Sequence, residues 1–456
     1  MKMINKTITT TLAFAVLLFA GCDGLLDQKP TNAIDAGTAT ASPSNLDAVL
    51  LSTYDSMSDN DLFGGELQMD ADLLATNANA PEITFTGTFG YLQELAAQSL
   101  RVSNGQAFAT WAEAYFGINQ ANIVLASIDV YDAAVRDQKA AEALLVRGTI
   151  YFELAKTYGL PYSTGNASSN LAVPIVLEPD NFELVTRATV EAVYDQAEAD
   201  LIAARDGLTT SNGVLGTSHV ANAMLSRLYL QKGEFQAAAT AANAVIQSGD
   251  FMLTADFADA FNNASNSSED IFALQVTETD GAQSLNTFYG SSGFGGRGDI
   301  AVTPAHTGLY EVGDARADFF YNDTDGDAST PLRTTKWQNQ YGNIPVVRLA
   351  EMYLTRAEAN LKSGVAQVGP NTPVQDVNII RARAGLIVPL LTVDEDAILL
   401  ERKLELAFEG QLLHDLKRTQ RAIGTFAYDS GELIFPIPQA ETDVNPNLDQ
   451  NDAYAN

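Results

Sequence analysis

From Leu400 to Leu416 an apolar residue returns at every fourth position: Leu400, Leu404, Phe408, Leu412 and Leu416. That period is one face of a helix, so residues 401–418 are expected to form an amphipathic helix lying against a core. Beside the apolar ridge runs an acidic one, Glu401, Glu405 and Glu409. Like charges four residues apart destabilise an isolated helix by about 0.2–0.5 kcal/mol per pair. Basic groups from elsewhere must therefore lie alongside, and Arg348, Arg356, Arg381 and Arg383 are the candidates. Gly410 interrupts the helix at about 1 kcal/mol relative to Ala and points to a close backbone approach there.

Helical periods dominate much of the chain. Trp111, Tyr115, Ile118, Asn122 and Leu125 step by three or four and predict a helix over about 106–128, with Trp111 in the core. Further helices are expected at 46–57, at 140–158, from a cap at Thr189 to 204, at 218–232, 234–248 and 345–362, and a short one at 377–385. The spacing Tyr229-x3-Gly233-x-Phe235-x2-Ala238-x3-Ala242-x3-Ile246 is close to a tetratricopeptide hairpin, whose small residues let paired helices approach. One such unit cannot bury its own face, so other helix pairs must stack on it. Residues 64–90 are rich in Gly, Asn and Thr and read as loop. Between about 251 and 343 the helical period fails; 270–277 alternates like a strand, and 281–298 is Gly/Ser-rich. The fold expected is mostly α, a tetratricopeptide-like helical-hairpin scaffold with an inserted loop-rich, strand-containing region.

The first 21 residues read as a targeting segment. Lys2 and Lys6 give a positive start, Leu12–Phe19 an apolar core, and Ala20 and Gly21 precede Cys22. That core is shorter than the roughly 20 apolar residues a membrane span needs. Ending at the chain's single cysteine, it looks like a bacterial lipoprotein signal, cut so that Cys22 carries lipid. Residues 22–44 then form a lipidated tether and 45–456 one folded domain. A lone cysteine allows no internal disulfide, so folding rests on packing. With 57 acids against 26 bases, a formal charge of −31 excludes nucleic acid and an anionic membrane surface as principal partners. The membrane is reached through the anchor alone.

Several stretches resemble the SusD/RagB family of outer-membrane nutrient-binding lipoproteins. The family's C-terminal signature is matched at Glu401, Arg402, Glu405, Leu406, Phe408, Glu409, Gly410, Asp415, Leu416 and Arg418; an Arg usual two places after the Gly is Leu412 here. A second motif is matched at Arg348, Ala350, Glu351, Tyr353, Leu354, Ala357, Glu358 and Ala359, and the ending resembles P-I-P-x-x-E and N-P-x-L-x-Q-N at 436–451. Lys336-Trp337 sits where the family has a strand start, which makes Trp337 structural. The resemblance implies a SusD-like domain, lipid-anchored in the outer membrane and facing the cell exterior. It also implies that the protein works with a TonB-dependent, SusC-like transporter in taking up an oligosaccharide or a peptide.

In that family ligands bind on loops, and two loops here carry the side chains for it. Residues 77–91 hold Asn77, Asn79, Phe85, Phe89 and Tyr91; the segment 281–298 holds Tyr289, Phe294 and Arg297; Tyr341 is a further candidate. Sugar hydroxyls suit Asn and Arg, and a weakly polar C–H face suits an aromatic ring. Asp323, Asp325 and Asp327 have the opening spacing of a calcium loop, but Ala328 and Thr334 stand where its Gly and bidentate Glu belong, so an acidic surface turn is the better reading, and no cofactor is expected. His219, His306 and His414 are isolated in sequence and no nucleophile or nucleotide motif is present, which points to a binder and not an enzyme. A repeat-type envelope adaptor for protein partners is the alternative, and a surface glycosidase the third reading.

Overall fold

The computed structural model describes residues 36–179, 183–324 and 330–455. Cys22 and the targeting segment lie outside the described residues. Ser42 caps the first long helix, α1 (Pro43–Ser58), by accepting from the Asn45 N–H. Asn104 does the same for α4 (Gly105–Ala126), and Thr189 for α6 (Val190–Gly207) as the sequence leads one to expect. With α5 (Ala133–Tyr158), α7 (Ser218–Lys232), α8 (Phe235–Ser248), α10 (Leu349–Lys362) and α11 (Pro373–Arg383) these build the scaffold. Successive members pack on one another, α1 on α4, then α5, α6, α7 and α8, with α8 on α10 and α10 on α11. The α7–α8 turn is at Gly233, φ +76°. At the α5–α6 crossing a Cβ on Gly148 would sit 2.9 Å from the Asp200 Cβ, so only glycine fits. The next residue back, Arg147, then reaches Asp200 with two bonds of 2.8 Å.

The region 251–343 is strand-containing, as expected; within 281–298, expected as loop, it forms the short helix α9 (Ser284–Tyr289), and it adds a four-stranded antiparallel sheet in the order β1 (Ile83–Phe85), β3 (Ile300–Val302), β5 (Leu332–Thr334), β4 (Phe320–Asn322). A second ladder pairs β2 (Asp270–Leu274) with β6 (Ile344–Arg348). β2 is buried along its whole length, not alternately. Its partner overturns one expectation: Ile344 and Pro345 belong to a strand, and the helix starts only at Leu349. The stretch 64–90 is not all loop either. It contains α2 (Glu66–Leu74) as well as β1, and α2 is buried on nearly every side, so it lacks the amphipathic period by which a helix is recognised. The helix α3 (Gly90–Ala96) follows.

The expected continuous helix over 401–418 is two helices, α12 (Glu395–Glu405) and α13 (Leu412–Arg418). Tertiary hydrogen bonds draw out the carbonyls that a helix would use. Lys336 Nζ donates to Glu405 O at 3.0 Å and Ala407 O at 2.8 Å, and Trp337 Nε1 to Phe408 O at 3.2 Å. Phe408 and Gly410 adopt φ of +63° and +73° in the intervening turn. A Cβ on Gly410 would lie 2.6 Å from the Gln68 Cα, the close approach its glycine implied. Leu400, expected in the apolar ridge, is exposed, and Leu412 and Leu416 are half-buried.

The acidic ridge is met by bases. Arg348 reaches Glu405 at 3.0 Å, Glu409 at 2.7 Å and Glu269 at 3.0 Å; Arg383 bridges Glu405 and Glu269; Arg381 approaches Glu401 at 3.5 Å. Arg356 is the exception among the four candidates, pairing with Asp376 and Asn243. Two bases unforeseen in the sequence join: Arg316, which is 2.7 Å from Glu401, and Lys336, 2.6 Å from Glu409. Burial pushes Glu405 and Glu409 up, but Arg383, Arg348 and Lys336 outweigh it and hold both below the ordinary carboxylate value. Folded values beneath the unfolded 4.5 mean a contribution that is whole above that pH and lost as pH falls through the folded values. Glu405→Gln therefore costs about 3–5 kcal/mol in urea unfolding at neutral pH, by leaving buried guanidinium groups short of charge, and flattens the loss of melting temperature below about pH 4.5.

Candidate functional site

Because β1 pairs with β3 in the register Ile83↔Val302 and Phe85↔Ile300, the loops 77–91 and 281–298 are side by side on one edge of the scaffold. At the end of the first loop Phe89 lies 5.5 Å from the Tyr91 ring and edge-on to Phe288 at 6.1 Å. From the second loop the Arg297 guanidinium covers Phe89 at 4.5 Å. Asp299 holds that guanidinium in place by accepting from Nε at 2.9 Å, while its backbone carbonyl accepts from Thr86 N–H at 2.7 Å. Gly87 makes room for this, since a Cβ there would lie 2.5 Å from Phe85 and 2.7 Å from the Asp299 carboxyl carbon. Arg297 keeps 43% of its side chain exposed, leaving N–H groups open to a ligand.

Further along the second loop Phe294 is 41% exposed and packs edge-on against Tyr321 at 5.2 Å. The Tyr321 hydroxyl accepts from the Ser291 N–H at 2.9 Å, which fixes the ring under the loop. Tyr321 and Asp299 escaped the reading of the sequence. The aromatic run Phe319-Phe320-Tyr321 was the available signal for Tyr321; Asp299 had none, because its role depends on the fold of the loop around Arg297.

Not every candidate converges. Tyr289 is wholly buried, donates its hydroxyl to Asp72 at 2.8 Å and packs on Phe408, so it is a core residue and is withdrawn as a ligand contact. Asn77 accepts from the Asn79 N–H at 3.0 Å in a turn at the far end of the first loop; Asn77 lines a separate cavity and Asn79 is exposed. Phe85 is half-buried against the core. Tyr341 is half-buried beside Gln340, whose side chain covers Gly295. Asp323 is engaged by Arg333 through two bonds of 2.9 Å, while Asp325 and Asp327 lie outside the described residues. Among the described residues no three His, Cys, Asp or Glu side chains are arranged to hold a metal ion. His219 pairs with Asp250, His306 with Glu82 and Tyr310, and burial pushes His414 well below its usual value.

Beneath the Phe89–Tyr91 surface sits a group of carboxylates. Burial raises Glu66 to about 7, with Asp61 adding to it, and burial followed by the Glu66 and Asp61 charges carries Asp70 well above its ordinary value. Neither Asp70 oxygen has a hydrogen bond of good geometry; the neutral donor facing it is the Gln106 amide. Burial and these same carboxylates push the Tyr91 hydroxyl up to about 12, so its O–H remains a donor at neutral pH. A raised carboxyl value stabilises the fold at low pH, and that contribution is lost as pH rises through the folded value. Asp70→Asn, whose amide can donate to the neighbouring carboxylates, should stabilise by about 1–3 kcal/mol at about pH 8 and by much less near pH 4. Thermal melts at the two pH values check the direction; an equal shift at both would refute the assignment.

Comparison with known proteins adds the following. A family model described as "Starch-binding associating with outer membrane" matches residues 25–230, and one described as "SusD family" matches 236–433. SusD-like protein P2 of Formosa agariphila is 24% identical over 98% of this chain and 99% of its own length. The starch-binding protein SusD of Bacteroides thetaiotaomicron is 31% identical over 149 residues, 27% of this chain and 26% of that one. A solved SusD superfamily structure from the same species superposes with a TM-score of 0.78 at 25% identity, covering 90% of this chain and 99% of the other.

Proposed function

The chain belongs to the SusD/RagB family, and on that premise we propose that it captures an oligosaccharide at the cell surface and passes it, untransformed, to a TonB-dependent outer-membrane transporter. Starch binding is named both in the description of the family model matching residues 25–230 and in the name of the Bacteroides thetaiotaomicron relative. The observation in this chain that carries the reading is the loop surface where Phe89, Tyr91 and Arg297 form one aromatic and cationic face, with a second aromatic pair, Phe294 on Tyr321, at the same loop. The exposed Phe294 ring supplies a flat partner for the C–H face of a pyranose, the half-buried Phe89 and Tyr91 present ring edges, and the stacked guanidinium supplies donors for hydroxyls. Both loops are anchored by β1 and β3, so the surface is set before a ligand arrives and little ordering entropy is lost on binding. A peptide would use similar side chains and is the alternative cargo.

Attachment is through lipid at Cys22. Among the described residues no helix is long and apolar enough to cross a membrane. The three histidines are each held in a structural pair or buried, which supports binding without chemistry.

An array of glycans and peptides identifies the cargo. On the best glycan, Phe294→Ala and Arg297→Ala should each weaken binding by about tenfold, the cost of losing one stacking or cation–π partner, with the melting temperature unchanged. Tyr289→Phe, which alters only the core, should bind as wild type. Binding to peptides but not to glycans, or full affinity in both loop variants, would overturn the proposal.

A further inference from the structure

The first loop leads to a second concavity. Asn77, Glu82 and Ile83, at its beginning, line a cavity of about 190 Å³ that is completed by the 406–411 turn, α13 and the segment 422–424. None of Phe89, Tyr91, Phe294, Arg297 and Tyr321 lines it, so the cavity and the aromatic surface are distinct sites on one loop. On its apolar side are Ala407, Phe408, Leu412, Leu416 and Ile423.

The polar side consists of Lys403, Glu82, His306, Asp72, Thr76 and Asn77, and its free valences decide what the cavity can hold. Glu82 accepts from Lys403 Nζ and lies 3.0 Å from His306 Nδ1. The other ring nitrogen of His306 is 3.1 Å from the Tyr310 hydroxyl, so the imidazole is fully used. Asp72 accepts from the Tyr289 hydroxyl and from the Gly410 backbone. The carboxylates at the polar end thus already accept bonds, and Thr76 donates its hydroxyl to the Asp72 carbonyl at 3.2 Å. Donors remain: Lys403 has three N–H groups and one bond to Glu82, and Asn77 uses its side-chain oxygen on the Asn79 N–H, leaving its amide nitrogen. The Lys403 charge is balanced at contact distance by Glu82, so the donors do not select for an anion.

We propose that this cavity binds a small uncharged acyl group, an ester or amide whose carbonyl oxygen accepts from Lys403 and Asn77 while its aliphatic chain lies on Leu412, Leu416 and Ile423. A free sugar ring is disfavoured because hydroxyls lying against Phe408, Leu412, Leu416 and Ile423 would be left without partners. The volume is the liquid share of about six water molecules, enough for a chain of some six carbons. The site is independent of the glycan reading, since the ligand it selects carries no sugar.

The probe is hexanamide, titrated into the intact protein with ligand-observed NMR, with hexanoate and glucose in parallel. Hexanamide should bind saturably with a Kd in the millimolar range, the range open to about eight heavy atoms. Hexanoate should bind at least about fivefold more weakly, and glucose should not compete. Ala422→Trp, at an exposed position on the rim, should abolish saturable binding with an unchanged melt. Lys403→Met should weaken it about five- to tenfold while Glu82 keeps its His306 partner. Absence of saturable binding in the wild type, full affinity in either variant, tighter binding of hexanoate or competition by glucose would each overturn the proposal.

Discussion

Three glutamates spaced four residues apart, two on α12 and one in the turn after it, can be buried only if positive charge is buried with them, and the rest of this structure is arranged around that requirement. Arg348 and Arg383 meet Glu405, Arg316 meets Glu401, and Lys336 meets Glu409, from segments that begin at β6, the end of α11, the insertion and the approach to β6. A charge this deep costs several kcal/mol unless it is paired and its remaining hydrogen bonds are made. Each partner therefore locates its own segment against α12, and the network ties the insertion to the helical frame. Adjacent pairs extend it: Arg227 with Glu351, Arg402 with Asp415, and Arg418 with both Asp415 and Glu358. Many of the charged residues by which the family is recognised are thus buried ion-pair partners, not ligand contacts.

The same requirement breaks the helix that carries the acids. Lys336 satisfies Glu409 while taking the carbonyls of Glu405 and Ala407, and the chain turns at Phe408 and Gly410. A positive φ at Phe408 costs about 1–2 kcal/mol, which the buried hydrogen bonds offset. The turn has a second effect. It directs Leu412 and Leu416 toward the start of the first candidate loop, where they line the cavity beside Asn77 and Glu82. One electrostatic constraint in the core therefore shapes a surface feature.

The two loops owe their proximity to three residue pairs between β1 and β3. These strands are too short to be stable alone, and they persist because β5 and β4 extend the sheet and Ile83, Ile300 and Val302 join the main core. The aromatic surface is therefore rigid although it is built from Gly-rich chain. Asp299 shows how local this rigidity is, holding Arg297 over Phe89 with its carboxylate and Thr86 with its carbonyl.

Periodicity, caps and charge are local properties, and they were readable in the chain: the helices from α4 to α8 lie where the apolar spacing puts them, except that α5 starts earlier, at Ala133 and not at 140; Thr189 caps α6, and the acidic ridge announced bases to come. The candidate loops were legible too, because Gly, Asn and aromatic residues outside any period mark exposed irregular chain. Tertiary structure alone decided which side chain goes where. Tyr289 and Phe294 are five residues apart, yet Tyr289, at the end of a short helix, is sealed against Asp72 and Phe294 faces solvent. Arg356 and Arg348 share a motif, yet only one reaches the ridge. The helix α2 stayed hidden because burial on all sides leaves no alternation to detect. These outcomes turn on contacts between residues dozens to hundreds of positions apart, where desolvation and pairing energies exceed any preference that a short stretch of sequence can express.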